Sequence, residues 1–366
     1  MNYPSAPYGA GNPTVIRSVI VDAADSKLKE PYIIATGKFE NADNVMVRVE
    51  LENGVYGLGE GSPSGTSGGE TQATILAAAR EIGEMIRGRD AASWRTICEL
   101  MTTQYKSQSS ARCAVESAVL DAYLRHCKIP MYRFFGGAST GVETDISIPI
   151  VTPDRARELA AKYEHEFSLI KIKVGGNLAD DEARVVAVHE AARNARIMID
   201  GNQGYNAPNA LRLLDILERR GIIPVLFEQP VHRDDWKGMA QMTAQSHVPI
   251  AADESVQTAA DAIRVAQEHA AHYINIKLVK SALSGALDIV GVCHGAKIGL
   301  MIGAMMESRL GAAVSAHFAA GIGGFSFIDL DTPMLIADEK YRGGYSQTTS
   351  RYELAGVGAG HGVERW

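Results

Sequence analysis

Two periodicities divide the chain. In Val15–Val21 and Asn44–Leu51 apolar and polar residues alternate, with Val45, Val47, Val49 and Leu51 set against Met46, Arg48 and Glu50, which predicts strands. Thr71–Arg87 and Ala111–Arg125 then read as helices, so residues 1–140 form an α+β domain. Further on the pattern changes to short apolar runs that each end in a charge. Ile197-Met198-Ile199 ends at Asp200, Val225-Leu226-Phe227 at Glu228, Pro249–Ala252 at Asp253 and Tyr273–Ile276 at Lys277, about 25 residues apart. Between them lie amphipathic stretches such as Ala210–Arg220, with Leu211, Leu214, Ile216 and Leu217 on one side. With Ile146–Val151, Ile170–Val174, Leu300–Ala304 and Phe325–Leu330 there are eight candidate strands. Repeated βα units of this kind predict a parallel sheet closed into an α/β (β/α)8-type barrel over residues 141–336, with its chemistry at the C-terminal strand ends.

The charges fall at those ends. In Leu169-Ile170-Lys171-Ile172-Lys173-Val174 the two lysines are one residue apart and share a face, where each lowers the proton affinity of the other. Alone, such a pair also fits a solvated strand edge. Here three carboxylates from successive strand ends follow, Asp200, Glu228 and Asp253, then Lys277. All-oxygen donors without His or Cys suit a hard cation such as Mg²⁺. A substrate carboxylate on that cation would place its α-carbon between two amines. Loss of the α-proton gives an enediolate, whose charge the cation and Lys171 would offset. Lysines of depressed pKa would serve as base on one face and acid on the other.

These motifs resemble the enolase superfamily, in its muconate-lactonizing subgroup, over nearly the whole chain: Lys171-Ile-Lys173, Asp200-Gly-Asn202-Gln203-Gly204-Tyr205, Phe227-Glu228-Gln229-Pro230, Ala252-Asp253-Glu254-Ser255 and Asn275-Ile-Lys277-Leu-Val-Lys280. The resemblance implies a modified TIM barrel, an N-terminal capping domain over residues 1–140 with mobile specificity loops, and a C-terminal segment, 337–366, packed on the cap. It also implies Mg²⁺ held by Asp200, Glu228 and Asp253, with Lys173 and Lys277 as the acid/base pair. Asp329 and Asp331, two apart in Phe327-Ile328-Asp329-Leu330-Asp331, share a face and call for a cationic partner. They resemble the Asp-x-Asp motif of dipeptide epimerases, where the pair binds the free α-ammonium. Met305-Met306-Glu307-Ser308 resembles the same enzymes, with Ala304 and Met306 lining the pocket. The resemblance therefore implies an isomerase that inverts the α-carbon of a dipeptide's C-terminal residue. Muconate cycloisomerase, o-succinylbenzoate synthase and N-succinylamino acid racemase chemistry share the scaffold, and a non-catalytic metal-binding barrel is a rival from another class. One departure stands out. The segment Ile33–Asn41 lacks the arginine that pairs with a substrate glutamate in Ala-Glu epimerases; Lys38 is a candidate substitute, although not a planar bidentate one.

The remaining features narrow the class. A net charge of −7 and no basic stripe disfavour nucleic acid as a partner; a small-molecule substrate, the dipeptide, is what the resemblance implies. Cys98, Cys113, Cys127 and Cys293 show no Cys-x-x-Cys spacing, as expected in a reducing cytoplasm, and no apolar run is long enough for a membrane span. A homo-oligomer is left open. Met1–Pro13 reads as a loose lead-in without a secretory pattern. Gly57-Leu-Gly59-Glu-Gly61-Ser-Pro63 leaves a strand for a loop rather than a helix, contrary to the nucleotide-binding fingerprint, and reads as a flexible lid. The histidines His165, His189, His232, His247, His269, His272, His294 and His317 fall away from strand ends, which disfavours the sugar-acid dehydratases and their histidine base.

Overall fold

In the computed structural model, residues 11–63, 69–175 and 177–366 are described. The chain opens with an antiparallel meander of β1 (Ile16–Ile34), β2 (Gly37–Leu51) and β3 (Tyr56–Gly61). Four helices follow: α1 (Gln72–Ile86), α2 (Trp94–Gln104), α3 (Ser109–Cys127) and the short α4 (Met131–Phe134). The strands run longer than the alternation alone predicts: β1 and β2 pair out to Ile34 and Gly37, so Ile33–Asn41 is a hairpin tip rather than a loop.

The glycines of β3 do not make a lid. A Cβ on Gly57 would lie 2.2 Å from the Ala122 nitrogen, and one on Gly59 2.0 Å from the Ala114 carbonyl oxygen, so the strand backbone rests directly on α3. Only Gly permits that approach. The loop that this strand enters, Ser64–Gly68, lies outside the described residues, as does the lead-in up to Ala10.

After β4 (Gly141–Glu143) come the eight barrel strands: β5 (Ile146–Ile148), β6 (Leu169–Lys173), β7 (Arg196–Asp200), β8 (Leu226–Glu228), β9 (Ile250–Ala252), β10 (Tyr273–Ile276), β11 (Gly299–Gly303) and β12 (Phe325–Asp329). They pair in chain order, all parallel. The Asp145 amide donates to the Ile328 carbonyl at 2.9 Å and begins to close the ring between β5 and β12. Helices α5 (Pro153–Tyr163), α6 (Leu178–Ala191), α7 (Ala207–Arg219), α8 (Trp236–Gln245), α9 (Ala259–Glu268), α10 (Leu278–Ala296) and α11 (Arg309–Ile322) connect successive strands. The eighth unit has no full helix: β12 leads into a single 3-10 turn, Thr332–Leu335.

Local chemistry explains these boundaries. Thr152, Asn206 and Thr258 accept hydrogen bonds from the first-turn amides of α5, α7 and α9, and Pro153 stands at the start of α5. Leu169, Met198, Leu226, Ala251, Met301 and Phe327 fill the barrel interior. These residues stand at the start or the middle of six of the strands, which leaves the strand ends to the charged residues.

The chain ends in β13 (Tyr341–Gly343), β14 (Ser346–Thr348), β15 (Arg351–Glu353) and β16 (Val363–Arg365). This tail reaches the N-terminal helices. Arg125 Nε donates to Asp121 Oδ2 at 2.8 Å and its Nη1 to Glu364 Oε1, and buried His361 lies 2.9 Å from the Leu58 carbonyl.

Candidate active site

Register sets the mouth of the barrel. Lys173 on β6 stands level with Asp200 on β7, and Asp200 with Glu228 on β8. Asp253 follows β9, and Lys277 follows β10. In an eight-stranded ring β6 and β10 are four strands apart, hence on opposite sides. The arc β7–β9 between them carries the three carboxylates. The other arc carries Ala304 after β11, Asp329 and Asp331 at the end of β12, and Ser147 on β5.

Every one of these charged groups is buried. Lys171 Nζ lies 3.0 Å from Asp200 Oδ2, 2.7 Å from Glu228 Oε2 and 2.6 Å from Asp329 Oδ2. Lys173 Nζ donates to Asp200 Oδ2 at 2.7 Å, and Lys277 Nζ lies 2.8 Å from Asp253 Oδ2. Lys280 approaches Asp253 Oδ1 at 2.6 Å from behind. The depressed lysine pKa expected from the Lys-x-Lys pair does not appear. Burial acts to lower the Lys171, Lys173 and Lys277 ammoniums, but the neighbouring carboxylates outweigh it and raise all three. For Lys173 the main opposing carboxylate is Asp200, and for Lys277 it is Asp253. The carboxylates divide: Lys171 and Lys173 overcome burial to hold Asp200 down at about 2, whereas burial and Asp200 push Glu228 up to about 8.

This cluster suits a divalent cation. Glu228 Oε2 and Asp253 Oδ2 accept no hydrogen bond of proper geometry despite the ammoniums beside them. Asn275 Nδ2 fixes the other Glu228 oxygen, Oε1, at 2.7 Å, and Lys280 fixes Asp253 Oδ1. Glu228 and Asp253 thus each have one oxygen anchored by a hydrogen bond and one that faces only an ammonium, which a cation would replace; both oxygens of Asp200 accept hydrogen bonds, from the Asn202 amide and from Lys173.

Opposite the cluster opens a cavity lined from both the barrel and the cap. Its polar wall is Ser147, Asp329 and Asp331, with Lys173 and Lys277 at the sides. Its apolar wall joins Ala304, Met305 and Met306 to Tyr32, Ile34 and Phe39 from the β1–β2 hairpin. Asp329 is held low against burial by Lys171, while burial and Asp329 raise Asp331 to about 6. The Ser147 amide donates to Asp331 Oδ2 at 2.7 Å. Lys38, the expected stand-in for the missing arginine, instead pairs with Glu40 at 2.6 Å on the surface. A tip built from apolar residues turns its charges outward.

Several residues here carry no role in the sequence reading. Asn275 shares a strand face with Lys277, the same two-residue signal that marks Lys171 and Lys173. Glu254, raised to about 7 chiefly by burial, accepts from Asn202 Nδ2 at 3.3 Å and lines the cavity. Asp145 brings a carboxylate oxygen within 4.8 Å of those of Asp329 and Asp331; as an isolated charge before a strand it gives no sequence signal. Buried His317 and His361 both have hydrogen-bond partners, His317 accepting from the Tyr132 amide at 3.1 Å, and lie outside the cavity.

An eight-stranded parallel barrel with a meander-and-helix cap, a carboxylate arc and flanking lysines defines the class. The model of the mandelate racemase / muconate lactonizing enzyme N-terminal domain matches residues 16–136, and that of the enolase C-terminal domain-like family matches residues 154–365. The chain belongs to the enolase superfamily. It is 42% identical over 353 residues to an aromatic dipeptide epimerase of Herpetosiphon aurantiacus, covering 96% of this chain and 99% of the relative. To a hydrophobic dipeptide epimerase of Citrifermentans bemidjiense it is 35% identical, over 95% and 97% of the two chains. Among solved structures, dipeptide epimerase from Enterococcus faecalis V583, complexed with Mg and the dipeptide L-Leu-L-Tyr, superposes with a TM-score of 0.92 at 34% identity, covering 96% of this chain and 100% of that one.

Proposed function

We propose that this chain is a Mg²⁺-dependent dipeptide epimerase, an isomerase acting on the α-carbon of the C-terminal residue. The observation that carries the reading is the placement of Lys173 and Lys277 across the mouth from each other, with carboxylates on one arc between them and the Asp329/Asp331 pair on the other. Asp200, Glu228 and Asp253 would hold the cation, which when bound supplies a Lewis acid for the substrate carboxylate. Asp329 and Asp331 would grip the free ammonium, and the two grips span the dipeptide. Lys173 and Lys277 then face opposite sides of the α-carbon: one ammonium gives a proton while the other lysine, as the free amine, takes one. Lys171 adds positive charge where negative charge builds. Cyclisation or β-elimination of a non-amine substrate would leave Asp331 without a cationic partner, since Lys171 already pairs with Asp329.

The walls indicate the side chains accepted. Tyr32, Ile34, Phe39, Ala304, Met305 and Met306 are apolar or aromatic, and among the described residues the cavity lining contains no arginine. A glutamate side chain would be desolvated there without a partner, so the substrate is a dipeptide with a bulky apolar residue. The names of the aromatic and hydrophobic dipeptide epimerases among its relatives support this. A cytoplasmic setting belongs to the same proposal, supported by four free cysteines; among the described residues no helix is long and apolar enough to cross a membrane.

The test is a dipeptide library incubated in D₂O with Mg²⁺ and read by mass spectrometry. Apolar dipeptides should gain one mass unit and their second stereoisomer. Incorporation restricted to N-succinyl amino acids would overturn the reading.

A further inference from the structure

We infer that Asn44 and Glu60 of the cap are positioning residues that hold the pocket wall Ala304–Ser308 by its backbone, so that the preference for bulky side chains is set from outside the cavity; this rests on the epimerase reading. Asn44 lies on β2 and Glu60 on β3. Both are buried, and neither lines the cavity. The Asn44 amide nitrogen donates to the Met306 carbonyl at 2.8 Å and to Glu60 Oε1. Both partners are acceptors, which fixes the orientation of the amide. Glu60 accepts from the Ser308 amide at 2.8 Å, from the Gly311 amide at 3.1 Å and from the Ser308 hydroxyl. Its carboxylate thus sits at the start of α11, where unpaired amides favour an anion.

Apart from the Ser308 hydroxyl, the ties go to peptide groups and not to the wall's side chains. From the barrel side Thr332 Oγ1 donates to the Glu307 carbonyl at 2.9 Å, and within the wall the Glu307 amide donates to the Met305 carbonyl at 2.7 Å. The path of the wall is therefore fixed whatever side chains it displays, and Met305 and Met306 project from a braced turn. Without Asn44 the Met306 carbonyl loses its donor, and relief of that buried acceptor requires the turn to shift. A bulky substrate side chain registers such a shift; a methyl group does not.

The experiment compares kcat and KM of the parent and Asn44→Ala, loaded with Mg²⁺, on an alanyl dipeptide ending in phenylalanine and on alanyl-alanine. The expected result is at least a tenfold fall in kcat/KM for the bulky dipeptide, mainly through KM, with kcat on alanyl-alanine within twofold of the parent. In a Met306→Ala background the additional loss should shrink, because the two changes act through one wall. If Asn44→Ala does not fold, Asn44→Ser is read in the same assay, since a hydroxyl has one proton and can serve only one of the two acceptors. An equal loss on both dipeptides, or no loss on either, overturns the inference. A parent that turns over neither dipeptide nor any other overturns the functional reading instead.

Discussion

Lys171 Nζ stands 2.6 Å from Asp329 Oδ2 and, on its other side, 2.7 Å from Glu228 Oε2. One ammonium thus bridges the Asp200/Glu228/Asp253 arc and the Asp329/Asp331 arc, and it leaves Asp331 as the less compensated carboxylate of the pair. On the proposed function a substrate ammonium would supply the missing charge. Asp329→Asn with Asp331→Asn should raise KM for free dipeptides steeply, since each buried charge-assisted hydrogen bond is worth roughly 1.5–3 kcal/mol. N-acetylated dipeptides should be poor substrates of the parent for the same reason. Steady-state kinetics on both substrate forms checks this, and equal turnover of acetylated and free dipeptides would sink the ammonium grip.

The carboxylate arc makes a second demand. EDTA should abolish turnover and Mg²⁺ restore it. Glu228→Gln, which keeps the shape and the contact with Asn275 but removes a charged ligand, should weaken Mg²⁺ binding at least tenfold by calorimetry while the circular dichroism spectrum is unchanged. Full activity of metal-stripped protein is the outcome that excludes this assignment.

Much of this site is legible in the chain because strand chemistry is local. Asp200, Glu228, Asp253 and Lys277 each close an apolar run, and period-two alternation puts Lys171 beside Lys173. Pairwise arithmetic on two lysines, however, misjudges their pKa. Five carboxylates, Asp145, Asp200, Glu228, Asp253 and Asp329, converge from five different segments, and their summed field is a property of ring closure that no one segment displays. The hairpin tip is equally hidden: Ile33–Asn41 lacks the turn signals of a two-residue hairpin, and only pairing with β2 shows that Tyr32, Ile34 and Phe39 turn inward. The glycines of β3 read as a lid because a sequence does not reveal which helix will lie against them.

Ala282 has φ 57° and ψ 172° within α10, a conformation that L side chains rarely adopt. The kink separates the first turn, which carries Lys280 back to Asp253, from the rest of the helix. Glycine at this position would relieve the strain while losing one buried methyl, so Ala282→Gly should melt at or slightly above the parent temperature. Ala282→Val should be destabilised by about 3 kcal/mol, because branching at Cβ worsens both the backbone strain and the packing. Thermal melts of the three proteins decide this; a valine variant as stable as the parent would mean that the kink carries no strain.

Glu307, buried where cap and barrel meet, is pushed up to about 8 by desolvation and by the Glu60 carboxylate. An acid whose folded pKa is raised binds more protons folded than unfolded. Its contribution is therefore fully present below the ordinary glutamate range and is lost as pH rises towards and beyond about 8. Glu307→Gln, an uncharged mimic, should match the parent near pH 5 and exceed it near pH 9 by roughly 1–3 kcal/mol. Urea unfolding at the two pH values gives the difference, and a glutamine variant weaker at both would show that the ionised carboxylate is needed.

The placement of Lys173 and Lys277 across the ring makes the most specific claim about mechanism. With the substrate carboxylate anchored on one arc and the ammonium on the other, the α-carbon cannot turn over, so each lysine reaches only one face. Each should then serve one stereoisomer as base and the other as acid. Lys173→Ala should stop epimerisation in both directions yet leave solvent deuterium exchange measurable for the isomer whose proton faces Lys277. Lys277→Ala should show the mirror pattern. A single base that swings between the faces predicts instead that one mutant still epimerises and returns substrate-derived hydrogen. NMR of exchange for both isomers in both mutants separates the two, and epimerisation surviving in either would refute the two-base geometry.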